Sequence, residues 1–328
     1  MISTSISGKP AQAALDKFKG RNIMDIESLS KEDLQTIMQT AAYYDQALQE
    51  KRLLDDMKGK IMASLFFEPS TRTRLSFECA MERLGGKVIT VSETPSMQTS
   101  STAKGETMYD SIRVINYYCD VIACRSPIKG VRHEIARAAT VPYINGGDGS
   151  GEHPTQALLD VYTIYKRKGT LDGLIHAICG DLKYGRAPHS LLDALSKFKV
   201  AKIILSSPQE LRMPEEHISK IRAMGIEVEE CFDLDYAVAN ADMIYMTRVQ
   251  RERFATQEEY ERNKDLFIMG ERHIKMFRPG AIVLHPLPRV NEIEVEVDDY
   301  EGAVYFEQSG NGVPVRMALL ALVTGCVK

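Results

Sequence analysis

No stretch of this chain approaches the roughly 18 consecutive apolar residues of a membrane span, and its first residues lack the apolar core of a signal peptide. Neither membrane insertion nor a secretory route is expected. Charge of one sign is also missing. The 41 Lys and Arg are interspersed with 45 Asp and Glu for a net charge of −4, whereas nucleic acid and anionic membrane favour concentrated positive charge, so neither is expected as a main partner. The six cysteines (Cys79, Cys119, Cys124, Cys179, Cys231, Cys326) show no paired spacing, and several lie in apolar runs where a thiol acts as a small hydrophobe, so a reduced, cytoplasmic compartment is expected. Cysteines and histidines show no metal-ligand spacing. A dinucleotide fingerprint is missing too: the glycine cluster Gly146–Gly151 runs into Glu152 and Pro154, and there is no Walker A sequence. Met1 to Lys19 is rich in Ser, Ala and Lys with its first acid at Asp16, which leaves an organelle-targeting reading open beside that of a frayed lead-in.

What the chain does have is length and alternation. Its 328 residues suffice for about two domains. After a helix expected from Lys31 to about Leu54, apolar runs at Ile61–Phe67, Lys87–Val91, Asp120–Cys124 and Val141–Ile144 read as buried strands separated by helix-length segments. The pattern resumes with Leu174–Cys179, Lys202–Ser206, Ile226–Val228, Met243–Met246 and Ala281–Leu284. Two similar α/β domains are expected, each a parallel sheet flanked by helices, divided as 1–157 and 158–311. Between them Asn145–Gly151 reads as a breaker cluster leading to a helix opened by His153-Pro154, through which the chain crosses at about Leu158 to Thr163. A cleft between such domains, lined by strand C-terminal ends, is the usual ligand site.

One junction carries chemistry. The apolar run Ile61–Phe67 stops at Glu68-Pro69, and Ser70-Thr71-Arg72-Thr73-Arg74 opens a helix-period segment bearing Leu75, Phe77, Met81 and Leu84. A helix N-terminus there presents free N–H groups at the positive end of a dipole, with hydroxyls and guanidiniums as further donors, which is a grip for phosphate. The alternative is a hydroxyl N-cap followed by surface arginines. Read alone, His153 fits a helix cap as well as a catalyst. Arg186 and Arg248 fit solvated charges as well as ligands, although Arg248 follows the run Met243–Met246 and so leaves a sheet at its ligand-binding edge. The methionines read as core filling and the tyrosines as core and cleft wall.

Ser70–Arg74 resembles the carbamoyl-phosphate motif of the transcarbamoylase family. In the same order, His153-Pro154-Thr155-Gln156, Gly180-Asp181-Leu182-Lys183-Tyr184-Gly185-Arg186, Met246-Thr247-Arg248-Val249-Gln250-Arg251-Glu252-Arg253-Phe254 and His285-Pro286-Leu287-Pro288-Arg289 resemble blocks of the family's aspartate branch. The likeness runs from about Asn22 to the C-terminus. It implies transfer of a carbamoyl group from carbamoyl phosphate to the amine of L-aspartate, a direct attack that asks for no covalent nucleophile, metal or cofactor. Carried over by motif, Ser70, Thr71, Arg72, Thr73 and Arg125 would hold the phosphate, and Thr73, Arg125 and His153 the carbonyl oxygen. Gln156 and the carbonyls of Pro286 and Leu287 would take the carbamoyl amide, and Arg186, Arg248 and Gln250 the aspartate carboxylates.

The resemblance further implies a homotrimer in which a loop carrying Ser100 and Lys104 enters the neighbouring subunit's site. Ala103 stands where some members have a second lysine, which leaves Lys104 alone for the role. It implies that a last helix, within about 312–328, returns to the first domain, and that Glu68, Arg186 and Arg253 tie the domains on closure. A separate regulatory chain accompanies some members and not others. Two alternatives stand beside this reading. An ornithine-specific member would carry cysteine in the His285–Pro288 block and a Ser-Met-Gly loop, and a non-catalytic phosphate-binding relative would have lost a chemical residue.

Overall fold

Two parallel sheets organise the chain in a computed structural model, which describes residues 10–92, 104–249, 254, 256–263 and 265–328. Ser100, Gln250 and Arg253 lie outside the described residues. Contacts divide the rest into two units, one holding the described residues up to Tyr162 together with Asn311–Lys328, the other Thr163–Gly310.

In the first unit, α1 (Gln12–Asp16) and α2 (Lys31–Gln49) precede β1 (Ile61–Phe66), α3 (Thr71–Arg83), β2 (Lys87–Ser92), α4 (Met108–Ile115), β3 (Val121–Ser126), α5 (Val131–Ala138) and β4 (Tyr143–Asp148). The sheet order is β2-β1-β3-β4, all parallel. Helix α6 (Pro154–Lys168) then leads into the second unit, with β5 (Ile175–Cys179), α7 (Arg186–Leu195), β6 (Lys202–Ser206), α8 (Glu215–Ala223), β7 (Val228–Cys231), α9 (Leu234–Asn240), β8 (Met243–Met246), α10 (Gln257–Asn263), α11 (Glu271–Ile274), β9 (Ile282–Leu284) and α12 (Tyr305–Gly310). Its order is β7-β6-β5-β8-β9, again parallel. The last helix, α13 (Gly312–Thr324), is buried along nearly its whole length and packs on α2 and α3 of the first unit.

Each sheet reverses its winding direction once. From β1 the chain builds β2 on one side and then β3 on the other; from β5 it builds β6 and β7 on one side and then β8 on the other. Loops diverge at such a reversal and leave a crevice at the carboxyl ends of the two central strands. In the first unit the crevice lies beside the S-T-R-T-R turn and Arg125, in the second beside the loops following Cys179 and Met246.

Several expected elements shift for identifiable reasons. Helix α2 starts at a capping box, in which Ser30 Oγ accepts from Asp33 N and Asp33 accepts from Ser30 N, but it stops five residues short of Leu54. Lys51 turns left-handed (φ 54°) and Arg52 N–H returns to Ala47 O at 2.9 Å, a Schellman closure that sequence periodicity does not reveal. Strands β2 and β7, read as buried, are edge strands with partly open faces. β7 also lies later than expected, because its Glu229 and Glu230 are taken up at the edge by Lys202 and Arg212. The largest difference is β4, which runs through Asp148, so half of the expected breaker cluster is fully buried strand. Glycine is what allows this, since a Cβ on Gly146 would approach the Cys124 carbonyl to 3.2 Å, where the β3–β4 register shifts. Likewise β3 extends through Arg125 rather than ending before it.

Candidate active site

The first unit assembles its charged group from three chain segments. Beyond β1 the chain turns at Phe67–Ser70, pinned by Phe67 N–H to Arg125 O at 2.9 Å, and enters α3 with Ser70 as the N-cap residue. The Ser70 hydroxyl makes no capping bond, so the hydroxyl-cap alternative is not what the structure adopts. The N–H groups of the first turn have no acceptor within the helix. Thr73 is buried in that turn, and Thr71 and Arg72 are exposed on it. Desolvation, and then the charge of Arg125, lowers the Arg72 pKa below its ordinary value. Cations are crowded here in a way that an anion would relieve.

Arg125, half-buried on β3, pairs through Nε with Glu68 Oε2 at 3.3 Å. Its Nη1 lies 3.5 Å from Nε2 of His153, which is 6% exposed and immediately precedes α6. A guanidinium can only donate, so a hydrogen bond at this contact runs from Arg125 to the Nε2 lone pair. His153 O takes the first helical bonds from Gln156 and Ala157, which makes His153 the cap residue as well as Arg125's neighbour. Gln156 gives its amide N–H to Asp160 Oδ1 at 2.9 Å, which leaves its own carbonyl oxygen as the group able to meet an N–H donor. Lys104 is exposed before α4.

Two supporting residues escaped the sequence reading. Asp148, fully buried at the end of β4, accepts from Gly130 N (2.9 Å), Arg132 Nη1 (2.6 Å) and Glu152 N (2.7 Å), so it fixes the backbone that delivers His153. Arg316 of α13 is buried, donates to Thr155 Oγ1 at 3.1 Å and lies over the Phe77 ring at 5.0 Å. Burial and Arg125 press its pKa down, and Asp160 opposes them. A lone arginine inside the apolar run Val313–Val323 was the available signal; Asp148 had none, because its charged partner Arg132 lies 16 residues away.

In the second unit Arg186 is the first residue of α7, presented by the turn after β5 in which Tyr184 N–H binds Asp181 Oδ1 at 3.0 Å. Thr247 Oγ1 donates to Cys179 O at 3.0 Å and ties the end of β8 to that of β5. Gly180 (φ 109°) is obligatory there, since a Cβ would meet Thr247 O at 2.3 Å. Arg248 emerges next, half-buried, and its charge is felt by His285. Arg186 and Arg248 therefore leave the two central strands of the sheet, while Pro286 and Leu287 follow β9 on Arg248's side. Arg289, in a two-pronged pair with Asp298, closes the Pro286–Pro288 turn.

Fold and side chains together define a two-domain α/β protein with a cationic group at the winding reversal of each sheet. The chain belongs to the aspartate/ornithine carbamoyltransferase family. Residues 21–166 match that family's carbamoyl-P binding domain and residues 172–323 its Asp/Orn binding domain. The aspartate carbamoyltransferase catalytic subunit of Thermococcus kodakarensis is 48% identical over 308 residues, covering 94% of this chain and 98% of that one. The catalytic subunit of M. jannaschii aspartate transcarbamoylase superposes with a TM-score of 0.85 at 45% identity, over 92% of this chain and 97% of that one. Aspartate transcarbamoylase from Trypanosoma cruzi in complex with carbamoyl aspartate and phosphate superposes at 0.88 with 35% identity, over 94% and 97%. Among the described residues no helix is long and apolar enough to cross a membrane.

Proposed function

We propose that this protein transfers the carbamoyl group of carbamoyl phosphate to the amine of L-aspartate, giving N-carbamoyl-L-aspartate and phosphate in pyrimidine biosynthesis. The observation that carries the reading is the cationic group around Arg125: a helix N-terminus, Arg72 and an imidazole accepting from Arg125 all converge beside one strand end. Attack on a carbamoyl carbon needs charge stabilised on two sets of oxygens, the departing phosphate and the carbonyl. Ser70, Thr71, Arg72, Thr73 and Arg125 suit the first. Thr73, Arg125 and the Nδ1–H of His153 suit the second. The Gln156 carbonyl and those of Pro286 and Leu287 accept the carbamoyl N–H groups.

Arg186, Arg248 and Gln250 bind the aspartate carboxylates. In this reading 1–157 with 312–328 is the carbamoyl-phosphate domain and 158–311 the aspartate domain. Ornithine, with a cationic side chain, fits poorly opposite Arg248, and the Thermococcus and Trypanosoma relatives carry the aspartate name. The protein works in the cytoplasm as a homotrimer to whose sites Ser100 and Lys104 come from the neighbouring subunit; a regulatory chain is a possible additional partner. An assay of carbamoyl aspartate formation, run with aspartate and with ornithine beside a native-mass measurement, tests this. Turnover of ornithine, or no turnover of either, rejects it.

A further inference from the structure

The turn that follows β9 is held by a histidine used in an unusual sense. His285 is 1% exposed. Its Nδ1 accepts the Leu287 N–H at 2.8 Å, and its Nε2 lies 2.7 Å from Oε1 of Glu292, which is itself 2% exposed. The other Glu292 oxygen accepts from Val290 and Asn291 N–H, each at 3.1 Å, and the His285 N–H donates to Gln308 Oε1 at 2.8 Å. An N–H aimed at Nδ1 needs a lone pair there, so the ring's proton sits on Nε2 and is given to the Glu292 carboxylate. A second proton would set two donors face to face. Leu287 meanwhile holds φ at 54°, a region that a side-chain-bearing residue avoids, so its backbone must be held from outside.

We propose that His285 is a positioning residue: kept in the Nε2–H form by Glu292, it holds the Leu287 N–H and thereby aims the Pro286 and Leu287 carbonyls at the carbamoyl amide. This rests on the reading of those two carbonyls as amide acceptors. Burial, with Arg248 and Arg289 opposing Glu292, also disfavours a cationic ring. The role explains a buried His–Glu contact that would otherwise read as a plain ion pair.

The two ring nitrogens can be separated by substitution. In His285→Asn the side-chain oxygen falls near Nδ1 and still accepts from Leu287. In His285→Gln the amide falls near Nε2, still meets Glu292, and leaves Leu287 without its acceptor. Calorimetry with carbamoyl phosphate and, separately, inorganic phosphate reads the difference, because phosphate has no amide to be aimed at. His285→Gln is expected to weaken carbamoyl phosphate about tenfold, the loss of roughly one aligned bond, with phosphate affinity held, and His285→Asn to restore most of that loss.

Equal affinities in the two variants, or a parallel loss of phosphate, would overturn the proposal. Should His285→Gln melt too low to study, Glu292→Ala takes its place. Removing the tautomer's determinant should weaken carbamoyl phosphate and spare phosphate, and unchanged binding of both counts against the role. A wild-type protein that binds phosphate but not carbamoyl phosphate would instead reject the proposed function itself.

Discussion

Arg125 Nη1 stands 3.5 Å from His153 Nε2, a contact between the last turn of a strand and the cap of a helix 28 residues further on. A guanidinium can only donate, so the Nε2 lone pair is what faces it. On the proposed function, His153 serves as a hydrogen-bond donor to a developing oxyanion rather than as a base.

His153→Ala should therefore lower kcat by roughly 10²–10³ while carbamoyl phosphate and phosphate affinities change little, the signature of a contact that strengthens only as charge develops. Steady-state kinetics beside equilibrium binding checks it. An unchanged kcat would leave His153 as a cap alone.

Arg186→Ala and Arg248→Ala should each weaken aspartate use by about 2–3 kcal/mol in kcat/KM, with carbamoyl phosphate binding preserved, because each removes a charge-assisted partner for a carboxylate. A loss shared equally by both substrates would contradict the assignment.

Asp148→Asn replaces an oxygen with an N–H donor where Gly130, Arg132 and Glu152 already donate. With Asp148 buried, breaking this pair should cost about 3–5 kcal/mol. Chemical denaturation measures the loss, and kcat should fall with it, since the Glu152 N–H bond anchors the residue before His153.

Asp33 supplies a pH test. Burial would raise its carboxyl, but Lys17 at 2.7 Å, Arg21 at 2.8 Å and the Ser30 N–H outweigh that and hold it below its ordinary value. A lowered folded value contributes stability that is present above the unfolded pKa and lost as pH falls through the folded one. Asp33→Asn should cost about 1–3 kcal/mol at neutral pH, and the gap to wild type should close as the pH drops below about 4. A gap that persists at acid pH would mean that the loss is packing and not charge.

Lys104 separates a shared site from a loop lysine. If each site combines Arg72 of one subunit with Lys104 of the next, inactive Arg72→Ala and Lys104→Ala proteins, dissociated and mixed equally, should recover activity at about one quarter of sites by cyclic pairing. Arg72→Ala mixed with His153→Ala should recover none. Mixed trimers that stay inactive in the first case would end the shared-site model.

What could be read from the residues was whatever local pattern controls. Periodicity and β-branched runs located the strands β1, β5, β6, β8 and β9 nearly to the residue, because each buries both faces and so carries an uninterrupted apolar signature. Strand β7 was less legible: only half-buried along its length, it tolerates Glu229 and Glu230, and its apolar signal fades. The S-T-R-T-R turn was visible because chain order alone places it between a strand and a helix.

Tertiary structure decided the rest. Gly146 and Gly147 look like breakers in one dimension, yet the close β3 backbone at the first and the positive φ of 123° at the second make glycine the residue that fits. The sequence lists Arg125, Asp148, His153, His285, Glu292 and Arg316 without saying which touch. Contacts such as Arg316–Thr155, 161 residues apart, and Arg125–His153, 28 apart, arise only once strand order and helix packing bring those segments together. Local chemistry chose the elements through short-range backbone and burial preferences; hydrogen bonds between partners distant along the chain were settled by the fold.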